Sequence, residues 1–528
     1  MEARKKIGRA RWILAAILIV AAATRLYKID APLLDQLYVK QVYVANKARS
    51  IAQGEWNPLR DSLDFLDERG RRNRLIEEIP VFTGILGACY RAFGEREWIG
   101  RGLSIAATLA AIAALFGLVR REYDDETAIV AALLFAASPL LIFHGRAVLP
   151  DTAMLAALLA SAWAYRVAQD KTGRARVLWW IATAALGLLS AMFKYYGLIV
   201  LFPLLAMTYR RDGVRGCLGV RFVAIALAMI APIAVWLAVV FVPNANPTSK
   251  TIYTVLQHPV SLVSPRLYEC LFFRFPVKDN GPVASLLMLL GFVAAFRKRV
   301  DARAVLPWAI AGMFFFFLFA PKVVDHDYYE LIMLPSAAIL GALGWSWARK
   351  ELSRFAPKAA QGIALGTLGL AVLIQAPWIM GRKYDVEVGQ LILAERLERL
   401  ASPKGRIVVI GHLFSWPIVH YSNREGWIVQ ETTLPRDWSK RLARYRSEGA
   451  EYVALYFDPY STSRDRAGFE PLRSSLFEIE RKVGPWFRDG RPVEYVIYSW
   501  REPEKLADAR NRRDIEIKNK LPAGAKRQ

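Results

Sequence analysis

Cysteine is nearly absent from this chain, with three residues, Cys89, Cys217 and Cys270, in 528. None has metal-ligand spacing and together they make no disulfide framework, so cysteine carries no functional argument. Histidine is scarce as well, at five residues. No G-x-G-x-x-G follows a strand-like run, which leaves nucleotide binding unsupported. No internal repeat stands out, although transporters commonly show one. Acidic residues are outnumbered, 47 against 71 Lys and Arg, for a net charge of +24. In a soluble protein that excess would point to nucleic acid. Here the basic residues alternate with apolar runs instead of massing on one face, so no nucleic-acid partner is expected.

Apolar sequence is what the chain has in abundance, at 54% of residues. It falls in runs of about 18 to 22, long enough to cross roughly 30 Å of hydrocarbon. About eleven spans are expected, near 11–27, 98–118, 127–143, 149–168, 177–193, 197–209, 222–242, 283–296, 304–320, 330–348 and 358–380. The first follows Arg4, Lys5, Lys6, Arg9 and Arg11 and reads as an uncleaved anchor, with Ala21-Ala22-Ala23 the alternative signal-peptide cleavage site. Arg120-Arg121, Lys171 to Arg176, Arg210 to Arg215, Arg297-Lys298-Arg299 and Arg349 to Lys358 fall between alternate spans. The positive-inside tendency puts them in the cytoplasm. The loops 28–97 and 243–282 and everything after the last span are then external, in a multi-pass protein of the cytoplasmic (inner) membrane. Arg69, Arg71, Arg72 and Arg74 oppose the rule, as long translocated loops often do.

Within the first loop, Val42, Ala45, Ala48, Ile51 and Ala52 recur at helical spacing, as in an interfacial helix with its apolar face on the bilayer. Ile79 to Phe93 is apolar but short, and reads as re-entrant or interfacial; if it spanned, the downstream topology would invert. From about Asp385 the pattern changes to short strands, Arg406–Gly411, Gly426–Gln430, Tyr452–Phe457 and Glu494–Trp500, alternating with the helical stretches Val386–Leu400 and Pro435–Ser447. Such alternation implies a small α/β domain with a largely parallel sheet. The expected organisation is therefore a mostly α, multi-pass membrane domain over 1–384 and an extracytoplasmic α/β domain with a basic tail over 385–528.

Charged groups at the ends of apolar runs are costly to desolvate and tend to mark sites. All fall on the external side. Asp35, with Tyr38 close by, is either the cap of the next helix or a carboxylate taking a proton from an attacking hydroxyl or amine. Glu78-Ile79-Pro80 reads as a helix start or as a substrate contact. Asp151 after Pro150 suits a helix N-terminus, while Arg146 has no obvious intrahelical partner and suits an anionic group. Lys194, beside Tyr195 and Tyr196, is either a snorkelling lysine or a phosphate ligand. Tyr328 and Tyr329 belong either to an interfacial aromatic belt or to a site with Lys322, Asp325, His326 and Asp327. One His with adjacent carboxylates is weak support for a metal, so none is assigned, although a divalent ion is not excluded. Glu269 and Arg274 add candidates from the second external loop.

In order and spacing, these segments resemble the polyprenyl-phosphate-dependent membrane glycosyltransferases with the GT-C fold, above all the lipid A aminoarabinose transferases and protein O-mannosyltransferases. The likeness runs from about residue 10 to 345 on Asp35 with Tyr38, Glu78 and Pro80, Arg146 with Pro150-Asp151, Lys194, and Tyr328-Tyr329 leading to Leu331 and Pro335. It implies a GT-C-like helical bundle and transfer of a hexose or pentose, with inversion, from a polyprenyl-phosphate-linked donor to a lipid, glycan or protein acceptor. Asp35 would be base or acceptor-orienting carboxylate, with Glu78 as a second catalytic acid. Lys194, Arg274, Tyr328 and Tyr329 would hold the donor phosphate, and Arg146, Asp151, Tyr38 and His326 would contact substrate. Mannosyltransferases carry an Asp-Glu pair where this chain has Asp35-Gln36, and aminoarabinose transferases carry Glu-Lys-Pro where it has Glu78-Ile79-Pro80. Arg74 or Lys322 is the candidate replacement for the missing basic contact. The reading from another class is a transporter or flippase for a lipid-linked sugar.

Overall fold

The computed structural model describes residues 2–55, 57, 62–67, 69–72, 78–244, 256–355, 357, 362, 366–367, 369–372, 374–375, 379–411, 415–430, 438–459, 461, 475–487 and 489–502. Arg74, Glu77 and much of the eleventh expected span lie outside these residues. The chain divides into two units, one of Met1–Ala31, Ile51–Asp61 and Leu75–Tyr384, the other of Pro32–Ser50, Ser62–Arg74 and Asp385–Gln528.

The first unit is helical, and helices stand where ten of the spans were expected. Among the described residues, four are long and apolar enough to cross a membrane: Glu97–Glu122, Gly173–Phe193, Val220–Phe241 and Asp327–Leu352. A fifth follows if the pair Pro265–Asp279 and Pro282–Phe296, bent by 119°, is one broken span. The expectation of about eleven is not reached by that measure, because several apolar stretches are interrupted. The 127–143 stretch divides into Asp125–Ala137 and Pro139–His144, since Ser138 caps a new helix through the Leu141 N–H and Pro139 restarts the turn. Val81–Phe93, at 13 residues, is too short to cross, consistent with a re-entrant or interfacial helix. Glycine lets the helices Pro282–Phe296 and Leu334–Leu352 approach backbone to backbone. A Cβ at Gly291 would collide with the Leu340 carbonyl. The outward faces remain apolar, with Leu178, Ile181, Leu227, Leu289 and Phe292 exposed.

The second unit is built on a five-stranded sheet: β1 (Arg406–Gly411), β2 (Gly426–Gln430), β3 (Ala450–Phe457), β4 (Phe477–Gly484) and β5 (Val493–Ser499), in the order β2-β1-β3-β5-β4. β1 pairs in parallel with β2 and β3, while β5 runs antiparallel to β3 and β4. The sheet is thus mixed where a largely parallel one was expected. The helix Val388–Leu400 lays Leu393, Ala394 and Leu397 into the interior. Residues 32–50, 62–67 and 69–72, expected in the external loop of the membrane domain, pack with this sheet domain. Here the helix Tyr38–Ala52 departs from expectation. Val42, Ala45 and Ala48 are covered by protein instead of facing lipid, and Lys47 and Arg49 on its other side are buried too. The polar side is stabilised by partners: Asn46 Nδ2 donates to Asp64 Oδ2 at 2.8 Å, and Arg49 Nη1 donates to the His420 carbonyl at 2.8 Å. Phe65 bridges to Gly426 at the sheet edge, and Trp427 Nε1 donates to the Asp67 carbonyl.

Candidate active site

In the first unit, most of the anticipated residues lie at one end of the antiparallel helices Asp151–Gln169 and Gly173–Phe193. Pro150 precedes the first of these, leaving Asp151 in its first turn where the helix dipole favours a carboxylate. The second ends at Lys194, whose backbone turns extended (φ −153°, ψ 129°). The N-terminus of one helix therefore meets the C-terminus of the other. Lys194 Nζ lies 3.2 Å from Asp151 Oδ2 and 3.0 Å from Glu78 Oε1. Tyr196 donates its hydroxyl proton to Asp151 Oδ1 at 2.7 Å, and the Lys194 ammonium stands 5.2 Å from the centre of the Tyr328 ring. Lys194 does not snorkel, since its side chain is 10% exposed. Burial opposes its charge, but the Asp151 and Glu78 carboxylates outweigh burial and hold the ammonium well above the usual lysine range.

Tyr328 connects this triad to its neighbours. It stacks on Tyr329 at 4.8 Å and on His326 at 5.3 Å, and meets the edge of His144 at 6.0 Å. His144 Nε2 is 3.0 Å from Asp327 Oδ1, and Lys383 Nζ donates to Asp327 Oδ2 at 2.9 Å. Burial lowers and the Asp327 and Asp279 carboxylates raise the Lys383 pKa, with a net rise. Arg274 grips the fully buried Glu330 at 2.6 Å, stands 3.6 Å from Asp279, and donates to the Val324 carbonyl at 3.1 Å. Lys383, 3.9 Å from Asp279, joins the two clusters.

Arg146 differs from these cations. Its Nη2 donates to the Lys28 carbonyl at 2.8 Å and its guanidinium lies 4.9 Å from the centre of the Tyr384 ring. It is 2% exposed, yet among the described residues Nε and Nη1 have no hydrogen-bond partner. A buried cation with two idle donors is chemically an anion receptor.

Asp35 and Tyr38 belong to the second unit. Asp35 is buried, and Gln41 Nε2 donates to its Oδ1 at 2.5 Å. The Asp35 carbonyl accepts from the Tyr38 N–H at 2.9 Å, so Asp35 does stand at the start of the helix Tyr38–Ala52. The sheet domain holds the residues just before it: Leu33 N–H donates to the Tyr421 hydroxyl at 2.7 Å and Glu387 N–H to the Leu34 carbonyl at 3.0 Å.

The structure thus brings Glu78, Asp151, Lys194, Tyr328, Tyr329 and His326 together, sets Arg274 in a separate ion cluster, and leaves Arg146 against Tyr384. Among the described residues no group of three His, Cys, Asp or Glu side chains is arranged to hold a metal. Sequence reasoning assigned no site role to Lys383, His144, Tyr196, Asp279 and Glu330. Lys383-Tyr384 follows an apolar stretch just as Lys194-Tyr195-Tyr196 does, and that shared basic-aromatic pattern was the available signal.

The matches to known proteins are to GT-C glycosyltransferases. A family model described as dolichyl-phosphate-mannose-protein mannosyltransferase matches residues 78–236. ArnT from Cupriavidus metallidurans, solved bound to undecaprenyl phosphate, superposes with a TM-score of 0.63 at 14% identity, covering 92% of this chain and 98% of that one. The oligosaccharyltransferase of Archaeoglobus fulgidus, solved tethered to an acceptor peptide, gives 0.55 at 11% identity over 84% of this chain and 68% of that one. The arabinofuranosyltransferase AftD from Mycobacteria gives 0.58 at 14% identity over 93% of this chain but 40% of its own. No curated protein matches the sequence. The fold is that of the GT-C membrane glycosyltransferases, and nothing among these matches supports a transporter.

Proposed function

We propose that this protein is a membrane glycosyltransferase that moves a sugar from a polyprenyl-phosphate donor to an acceptor at the extracytoplasmic face. The observation that carries the reading is the Glu78–Lys194–Asp151 cluster, built where two antiparallel helices end, on a fold shared with a lipid-phosphate-binding relative. Charge buried at that level of a helical bundle is costly unless it serves a site.

The acceptor's oxygen or nitrogen attacks the anomeric carbon as the bond from that carbon to the phosphate oxygen breaks. The electron pair leaves with the lipid phosphate, and the acceptor's proton goes to a carboxylate, here Asp35. Cations that meet the growing phosphate charge lower the barrier. Arg146 is the best of them, having Nε and Nη1 to offer. Lys194 is already matched by two carboxylates, so it binds phosphate only as Glu78, the more exposed partner at 31%, swings aside. Arg274 stays tied to Glu330 and acts by position and field. The lipid phosphate is itself a good leaving group, so the reaction needs no nucleotide.

Mass spectrometry of lipid co-purified with the native chain tests this. A polyprenyl phosphate is expected, reduced in Arg146→Ala and Lys194→Ala variants that remain folded. Absence of any such lipid, together with no transfer from synthetic polyprenyl-phosphate sugars, overturns the reading.

A further inference from the structure

At the other end of the same helices lies a cavity of about 420 Å³, lined by Arg176, Arg211, Arg215, Arg221 and Trp180 among others. Arg176 starts the helix Gly173–Phe193, and Gln169, also lining, ends Asp151–Gln169. The 19 residues from Asp151 to Gln169 separate this cavity from the Lys194 cluster by roughly 28 Å. That is close to a hydrocarbon thickness, so the two sites sit at opposite membrane surfaces. Arg221 begins Val220–Trp236, and the Leu201–Cys217 helix kinks at Gly213 (φ 64°, ψ −161°) between Arg211 and Arg215.

The electrostatics are one-sided. Among the described residues, Asp212 is the one carboxylate lining the cavity, 3.7 Å from Arg211. The Arg221 guanidinium lies 5.1 Å from the centre of the Trp180 ring and that of Arg176 lies 6.0 Å away, so both cations lie against one indole. The rim is apolar on the outside, with Leu218 and Val220 strongly exposed. Topogenic loop charge alone accounts for arginines on this side of a membrane, but not for four of them lining one concavity around an indole.

We propose that this cavity is a binding site for the anionic headgroup of a membrane phospholipid, its phosphate among the arginines and its acyl chains along Leu218 and Val220. Amphipathic walls favour a lipid over free phosphate, and basic pockets between membrane helices suit such headgroups.

The test titrates phosphatidylglycerol, phosphatidylcholine or inorganic phosphate into the detergent-solubilised full chain, with binding read by native mass spectrometry. Phosphatidylglycerol is expected to bind and phosphatidylcholine to bind much more weakly. Each of the single variants Arg215→Gln and Arg221→Gln should weaken binding roughly five-fold, and a combined Arg176→Gln, Arg215→Gln, Arg221→Gln variant roughly 100-fold. A charge-matched control, Arg297→Gln, Lys298→Gln, Arg299→Gln, should leave binding unchanged. Equal losses in the control, or binding of inorganic phosphate as tight as that of the lipid, would overturn the proposal.

Discussion

Removing the Lys194 ammonium separates structure from chemistry at the proposed site. Lys194→Met keeps the volume but leaves Asp151, whose side chain is 2% exposed, facing Glu78 with no cation between them. Stripping one partner from a buried ion pair costs about 3–5 kcal/mol. Because Glu78 is partly exposed it swings toward water, so the lower end of that range is expected. The double variant Lys194→Met, Asp151→Asn removes the stranded charge and keeps the acceptor for the Tyr196 hydroxyl. It should regain most of the stability, read as the thermal midpoint in detergent. Turnover should behave differently. If Lys194 meets the leaving phosphate, both variants lose roughly 10²–10³-fold in kcat, the scale of one transition-state donor. A double variant that recovers stability and turnover together refutes a role for Lys194 in the reaction and leaves it a structural counter-ion. A single variant as stable as the native chain refutes the ion-pair energetics.

Three further outcomes follow from the second unit. Asp35→Asn should abolish transfer with the thermal midpoint unchanged; near-normal turnover would remove the carboxylate from the mechanism. Tyr421→Phe strips the Leu33 N–H of its acceptor, at a cost of about 1–3 kcal/mol, and should lower kcat more than it raises the donor KM; unchanged kcat would mean that holding Leu33 and Leu34 does not matter to Asp35. His420 is held well below the ordinary imidazole range, by burial first and then by the Arg49 charge. The unfolded chain therefore takes up the proton first as pH falls, so stability is constant above about 6.5 and declines below it. His420→Gln should flatten that decline, as followed by midpoint against pH; an undiminished slope would assign the acid sensitivity to other groups.

Sequence alone carried the helical membrane unit, the change of pattern near Asp385, and two strands, β1 and β2, with their observed bounds. Both strands are continuous apolar runs, the pattern of a strand buried on its two faces. β4 was illegible for the opposite reason. It is a largely exposed edge strand reading Phe477-Glu-Ile-Glu-Arg-Lys-Val-Gly484, in which Arg481 breaks the alternation of Phe477, Ile479 and Val483 and charge dominates the composition. The helix Tyr38–Ala52 was visible as a helix, but its surroundings were not. A stripe of Val42, Ala45 and Ala48 is equally suited to lipid or protein, and only partners as remote as His420 show which one covers it.

The site divides in the same way. Local rules explain why Asp151 starts a helix and why Lys194 interrupts two apolar runs, since dipole preference and the cost of burying charge act over a few residues. Which carboxylates face Lys194, and that Lys383 and His144 share Asp327, are set by contacts between residues 43 to 183 positions apart in the chain. Ion pairing depends on separations of a few ångströms, which no periodicity records and only packing decides.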